Sequence, residues 1–77
     1  MIETKLKKLL AKQFGVLEDK LTLDTNVIDD LGADSLDLTE LVMNIEHAFK
    51  IIIEEDEYAD AHTVGKIIDL IKSKEPK

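Results

Sequence analysis

Few side chains in this sequence are spaced so that they could do chemistry together, and the most suggestive of them surround one hydroxyl. The run Asp29-Asp30-Leu31-Gly32-Ala33-Asp34-Ser35-Leu36-Asp37-Leu38 sets Ser35 between carboxylates where an aperiodic stretch gives way to a helical pattern. At the first turn of a helix, free backbone N–H groups and the helix dipole favour anionic charge, so this hydroxyl suits attachment of a phosphate ester. The same residues also fit ordinary capping. Asp34 can accept from the backbone of Asp37, and Asp37 occupies the reciprocal capping-box position in place of the usual Glu or Gln. An isolated Asp-Ser-Leu triplet therefore singles out no function.

Other chemistries fail on spacing. An EF-hand loop started at Asp24 would have Asn26 third, but Ile28 fifth, Asp29 where the sharp turn needs Gly, and Ser35 where a bidentate Glu belongs. Asp29, Asp30 and Asp34 leave room only for loose divalent binding as a by-product of charge density. Gly32 and Ser35 are too far apart for a nucleophile elbow, and His47 and His62 fit neither a triad nor a metal-binding pair. Gly65-Lys66 lacks the glycine-rich loop that cradles phosphates. With no Cys, thiol nucleophiles, Cys-based zinc sites and redox motifs are excluded. No self-contained catalytic constellation and no metal site emerges.

The elements that must position Ser35 are helices. Ile2, Leu6, Leu9, Leu10 and Phe14 recur at helical spacing, with Lys5, Lys8 and Lys12 mainly on the other side and Gly15 as a stop. Residues 16 to 34 show no sustained period. They read as a long ordered loop pinned to the core by Val16, Leu17, Leu21, Leu23, Val27, Ile28 and Leu31, and loops of this length are usually functional. Behind Asp34, the residues Leu38, Leu41, Val42, Ile45 and Phe49 form an apolar stripe, with Asp37, Glu40 and Glu46 opposite. Lys50 to Ile53 reads as a buried extended connection, since a lone strand has no partner. Glu54 to Asp60 can form a short helix, and Thr63 can cap a last one that turns Val64, Ile67, Ile68 and Ile71 inward. Pro76 falls in a lysine-rich tail expected to fray.

Length and charge set the frame. Seventy-seven residues make one small domain, 1–77, with a thin core and no room for a large catalytic cleft. The longest apolar runs are three residues, against the ~20 of a membrane span, and Met1 opens directly into an amphipathic segment without a visible signal peptide. We expect a cytoplasmic monomer that does not insert into membranes. From Glu18 to Asp60 there are fourteen Asp/Glu against two Lys, a local charge of −12, while the flanks hold eight Lys and three acids, +5. That acidic middle repels nucleic acid and anionic lipid and attracts basic protein surfaces.

The longer match narrows the function. Asp29 to Phe49, with Leu-Gly-Ala-Asp-Ser-Leu-Asp at 31 to 37, Glu40-Leu41-Val42-Met43 and Ile45-Glu46, closely resembles the acyl carrier proteins. The resemblance continues through the lysine-bearing first segment, Gly15-Val16, the acidic loop and Thr63-Val64, so it covers nearly the whole chain. It implies an all-α fold, a four-helix bundle of three longer helices and one short helix, with a long loop between the first and second. It implies that Ser35 is esterified by 4′-phosphopantetheine from coenzyme A, placed by a magnesium-using phosphopantetheinyl transferase. The arm's own thiol then carries fatty acyl chains as thioesters, held partly inside the bundle, between the enzymes of dissociated fatty acid synthesis. The protein carries and its partners catalyse. The positions matching the family's docking residues, which meet basic patches of those enzymes, are Asp34, Leu36, Asp37, Glu40, Met43 and Glu46.

Three departures fall near the short helix: Ile52 where a polar residue is usual, Glu54 where Pro is common, and Ala61 where a larger aliphatic is common. His47 interrupts the family's acidic face. The entry to the short helix is therefore expected to be the most mobile region. Alternatives from the same residues are a carrier of a specialised, polyketide-like pathway and an unmodified acidic interaction module in which Ser35 is only a helix cap. An independent enzyme lacks a base or metal to activate Ser35.

Overall fold

The computed structural model describes residues 1–75; Pro76 lies outside them. Four helices run in the order α1 (Ile2–Phe14), α2 (Ser35–Phe49), α3 (Glu55–Tyr58) and α4 (Val64–Lys74). Three longer helices and one short one thus form the all-α bundle, with residues 15–34 as the long connection between α1 and α2.

Several helix ends have a local reason. Leu6 and Leu10 of α1 are fully buried, and Gly15 ends the helix in the left-handed conformation, its N–H donating to Ala11 O at 2.9 Å. In α2 the buried stripe is Leu41 and Ile45, and Lys50 ends the helix at φ 56° without the freedom of a glycine. In α4 Thr63 Oγ1 accepts from Lys66 N at 3.2 Å, and Val64, Ile67, Ile68 and Ile71 all face the core, as their spacing predicts. α1 packs on both α2 and α4, and α3 packs on α4. Truncating Leu6 or Leu10 to Ala would cost about 2–5 kcal/mol, a large share of what so small a core supplies.

The long loop is ordered by backbone bonds that leave no trace in its side chains. Val27 N donates to His62 O at 2.8 Å, Val64 N to Thr25 O at 3.0 Å and Gly65 N to Leu23 O at 2.9 Å, fastening the loop to the start of α4. Gly65 suits this approach: a Cβ there would lie 3.2 Å from Leu23 O, so that the neighbouring chain would have to give by a few tenths of an ångström. Asn26 Oδ1 accepts from the backbone of Ile28 and Asp29, and Asp30 Oδ2 from that of Asn26. Two expectations fail here. Leu17 and Leu23 stand out in solvent, at 66% and 51% exposure, because a turn of 3₁₀-helix at Glu18–Lys20 and the Leu23–Gly65 bond aim the chain differently at those positions. Leu21 and Val27 do the pinning, with Val16, Ile28 and Leu31 partly buried beside them.

The connection 51–53 alternates, as extended chain should: Ile51 and Ile53 are buried while Ile52 is 72% exposed. Lys5 stays on its expected solvated face but reaches across to α2. Its Nζ donates to Ala48 O at 2.7 Å and lies 5.0 Å from the Phe49 ring centroid, so it closes the C-terminal end of α2.

Candidate functional site

Asp34 and Asp37 build the start of α2 together. Asp34 Oδ1 accepts from Asp37 N at 2.9 Å, and Asp37 Oδ2 accepts from Asp34 N at 3.1 Å, the reciprocal cap the spacing implies. Ser35 is then the first helical residue, exposed to solvent. Its carbonyl accepts from Thr39 Oγ1 at 3.0 Å, but among the described residues no group hydrogen-bonds its hydroxyl. The oxygen is thus accessible and uncommitted, at a helix end whose first N–H groups favour an anion.

Nothing nearby activates that hydroxyl. His47 lies twelve residues along the same helix, roughly 18 Å by its rise, and among the described residues no three His, Asp or Glu side chains gather to hold a metal ion. Ser35 is open to solvent, and the two adjacent carboxylates are held in their own exchange of bonds.

The other residues singled out on α2 divide into two groups. Leu36 and Met43 are exposed at 75% and 60%, and Glu40 is exposed beside them, which makes a mixed apolar and acidic face running back from Ser35. Asp37 and Glu46 are only half-exposed. Glu46 differs from its expected place on the solvated face: its Oε2 accepts from Ile53 N at 2.8 Å and ties α2 to the chain that follows it. On the α1 side, Gln13 Nε2 donates to Asp37 O at 3.0 Å and Gln13 Oε1 accepts from Asn44 at 3.1 Å, a polar bridge that the sequence reading missed.

Behind this face of α2 lies an apolar cleft. Leu38, Leu41, Val42 and Ile45 form one wall, beginning one turn from Ser35. Ile67 and Leu70 of α4 face them, and Ile53, Tyr58 and Ala61 close it from the α3 side. Its volume of about 20 Å³ is room for about one water.

α3, which carries Tyr58, has a cap of its own. Glu54 takes the position where Pro is common in the family resembled, and it allows the α3 cap: its N–H donates to Glu57 Oε1 at 2.8 Å. Glu57 also pairs with Lys74 of α4 at 2.6 Å. The hydrogen bond from Lys74, and then that from the Glu54 backbone, hold the Glu57 carboxyl below the ordinary glutamate value.

The sequence matches the family described as phosphopantetheine attachment site over residues 4–71. It is 44% identical over 71 residues to the acyl carrier protein of Buchnera aphidicola subsp. Baizongia pistaciae, covering 92% of this chain and 91% of that one. To the acyl carrier protein of Buchnera aphidicola subsp. Acyrthosiphon pisum it is 42% identical over 76 residues, 99% of this chain and 95% of the other. The fold is similar to that of the acyl carrier protein from Enterococcus faecalis, with a TM-score of 0.84 at 31% identity over 96% of this chain and 94% of that chain. A capped helix presenting a free hydroxyl, a bundle of this topology and likeness along nearly the whole chain together place it in one family: the chain belongs to the acyl carrier proteins, carriers rather than enzymes, whose covalent cofactor is 4′-phosphopantetheine.

Proposed function

We propose that Ser35 is the attachment residue and that the chain shuttles growing fatty acyl groups, as thioesters on the phosphopantetheine arm, between the separate enzymes of fatty acid synthesis. The observation that supports this most is the uncommitted, exposed hydroxyl at the first turn of α2, with the cap formed by Asp34 instead. The arm, when bound, supplies the thiol that this cysteine-free chain lacks. The chain's own residues do the rest: Asp34 and Asp37 hold the helix end rigid, and the apolar cleft behind α2 offers an acyl chain shelter from water.

Docking on the transferase and on synthesis enzymes uses Asp34, Leu36, Asp37, Glu40, Met43 and Glu46 against basic patches. Exposed ion pairs are individually weak and screened by salt, so such encounters are fast, brief and salt-sensitive, which suits a cytoplasmic, monomeric shuttle.

The test is intact mass before and after incubation with coenzyme A, magnesium and a broad-specificity phosphopantetheinyl transferase, followed by peptide mapping. We expect a gain of one phosphopantetheine on the Ser35 peptide, and none for a folded Ser35→Ala variant. A loaded Ala variant would remove Ser35 from the role. No gain by a folded wild-type protein that did not already carry the group would leave an acidic interaction module.

A further inference from the structure

The cleft behind α2 is too small for the chain that the proposed function asks it to hold, so one of its walls must move. The α2 wall cannot move easily: Leu41 and Ile45 are buried in the middle of a fifteen-residue helix. Ile67, opposite, is equally buried in α4. Ile53 is tied to Glu46 through its backbone N–H. Ala61 is a methyl group, with nothing to swing away.

Tyr58 differs from all of these. Leu38, Val42, Ala61 and Leu70 of the lining are half-buried as it is, but Leu38, Val42 and Leu70 ride on the long helices α2 and α4, whereas Tyr58 ends a helix of four residues, too short to be stable by itself. Its hydroxyl forms no hydrogen bond among the described residues, yet no buried polar side-chain atom lacks a partner there, so the phenol oxygen meets water. The ring thus lines the cleft with its carbon face while its polar tip is already outside, and a side chain of this kind can slide outward at little cost. Of its neighbours, Ala59 is exposed, while Glu57 is half-buried and paired with Lys74.

We propose that Tyr58 is the movable wall of the cleft: an acyl chain enters by displacing the Tyr58 ring towards solvent, between α2 and α4. This rests on the reading of the protein as an acyl carrier and adds the residue that controls access to its interior. Short acyl groups, which the closed cleft cannot draw past the ring, stay outside. Longer ones are taken in once the apolar area they bury exceeds the cost of moving it.

Tyr58 is the single tyrosine and the chain has no tryptophan, so its emission reports on this ring alone. The experiment compares quenching by neutral acrylamide in the arm-bearing protein and in its acetyl and octanoyl thioesters, with loading verified by intact mass. Acetyl loading should leave quenching unchanged, and octanoyl loading should raise it by about twofold as the ring becomes exposed. Unchanged or reduced quenching in a verified octanoyl form would overturn the proposal and leave the carrier reading standing. Failure to load would overturn the carrier reading and the proposal with it.

Tyr58→Ala adds a second measurement. If it folds, hydroxylamine should cleave its octanoyl thioester about threefold more slowly than that of the wild type, because shelter no longer requires displacement. An unchanged rate in the folded variant would count against the gate, and the quenching comparison in the wild type decides the question if the variant does not fold.

Discussion

Glu46 Oε2 accepts a hydrogen bond from the backbone N–H of Ile53 at 2.8 Å, so a side chain in the last turn of α2 holds the chain segment that leaves the helix. Because Ile53 is buried in the cleft, this bond fixes part of that wall. Removing the acceptor would leave a partly buried N–H unpaired. Glu46→Ala should therefore destabilise by about 1–2 kcal/mol in chemical denaturation and speed amide exchange at Ile53, whereas Glu46→Gln, which keeps an acceptor, should lose less.

The start of α2 should depend on Asp34 far more than on its neighbour. Asp34→Ala removes the acceptor for Asp37 N and is expected to cost about 1 kcal/mol, with Asp34→Asn costing a fraction of that. Ser35→Ala should leave the thermal midpoint nearly unchanged. A loss for Ser35→Ala as large as that for Asp34→Ala would contradict the assignment of the cap.

The Glu57–Lys74 pair makes the attachment of α3 sensitive to acid. Glu57 is held below the ordinary glutamate value in the folded protein, first by the Lys74 hydrogen bond, so its contribution is fully present above that ordinary value. It is lost as pH falls from there through the lower, folded-state value. Acid titration followed by Tyr58 emission should show α3 loosening across that interval, and Lys74→Met should flatten the change.

Amide exchange should be faster over residues 54–61 than in α2. α3 is one turn long, has no fully buried residue, and is held by its cap, by the half-exposed ring of Tyr58 and by one ion pair open to water. Slower exchange there than in α2 would show that these contacts hold more firmly than their exposure implies.

The helices were legible because each announces itself locally. Leu41 and Ile45, or Val64, Ile67, Ile68 and Ile71, repeat at helical spacing behind a capping residue, and Gly15 marks a stop. The loop was only half legible. Its ordering comes from carbonyls of Leu23, Thr25 and His62, and a backbone bond between distant segments has no side-chain signature. The same reason explains Leu17 and Leu23, apolar residues that the path of the chain turns outward.

At the site, the reciprocal cap of Asp34 and Asp37 could be read from a three-residue spacing. The bonds of Glu46 and of Lys5 could not, because each meets an atom brought to it by tertiary folding. Tyr58 stood out in the sequence for no reason. Only the convergence of α2, α3 and α4 gives it a place.

Serine is itself among the best helix caps, yet here the cap belongs to Asp34 and the oxygen one residue later is left over. Helix integrity and surface chemistry are thereby assigned to different side chains. Whatever is joined to position 35, or cut from it, replaces no bond that the folded state relies on. If Ser35 is the attachment residue, loading and stripping leave the scaffold indifferent to the exchange.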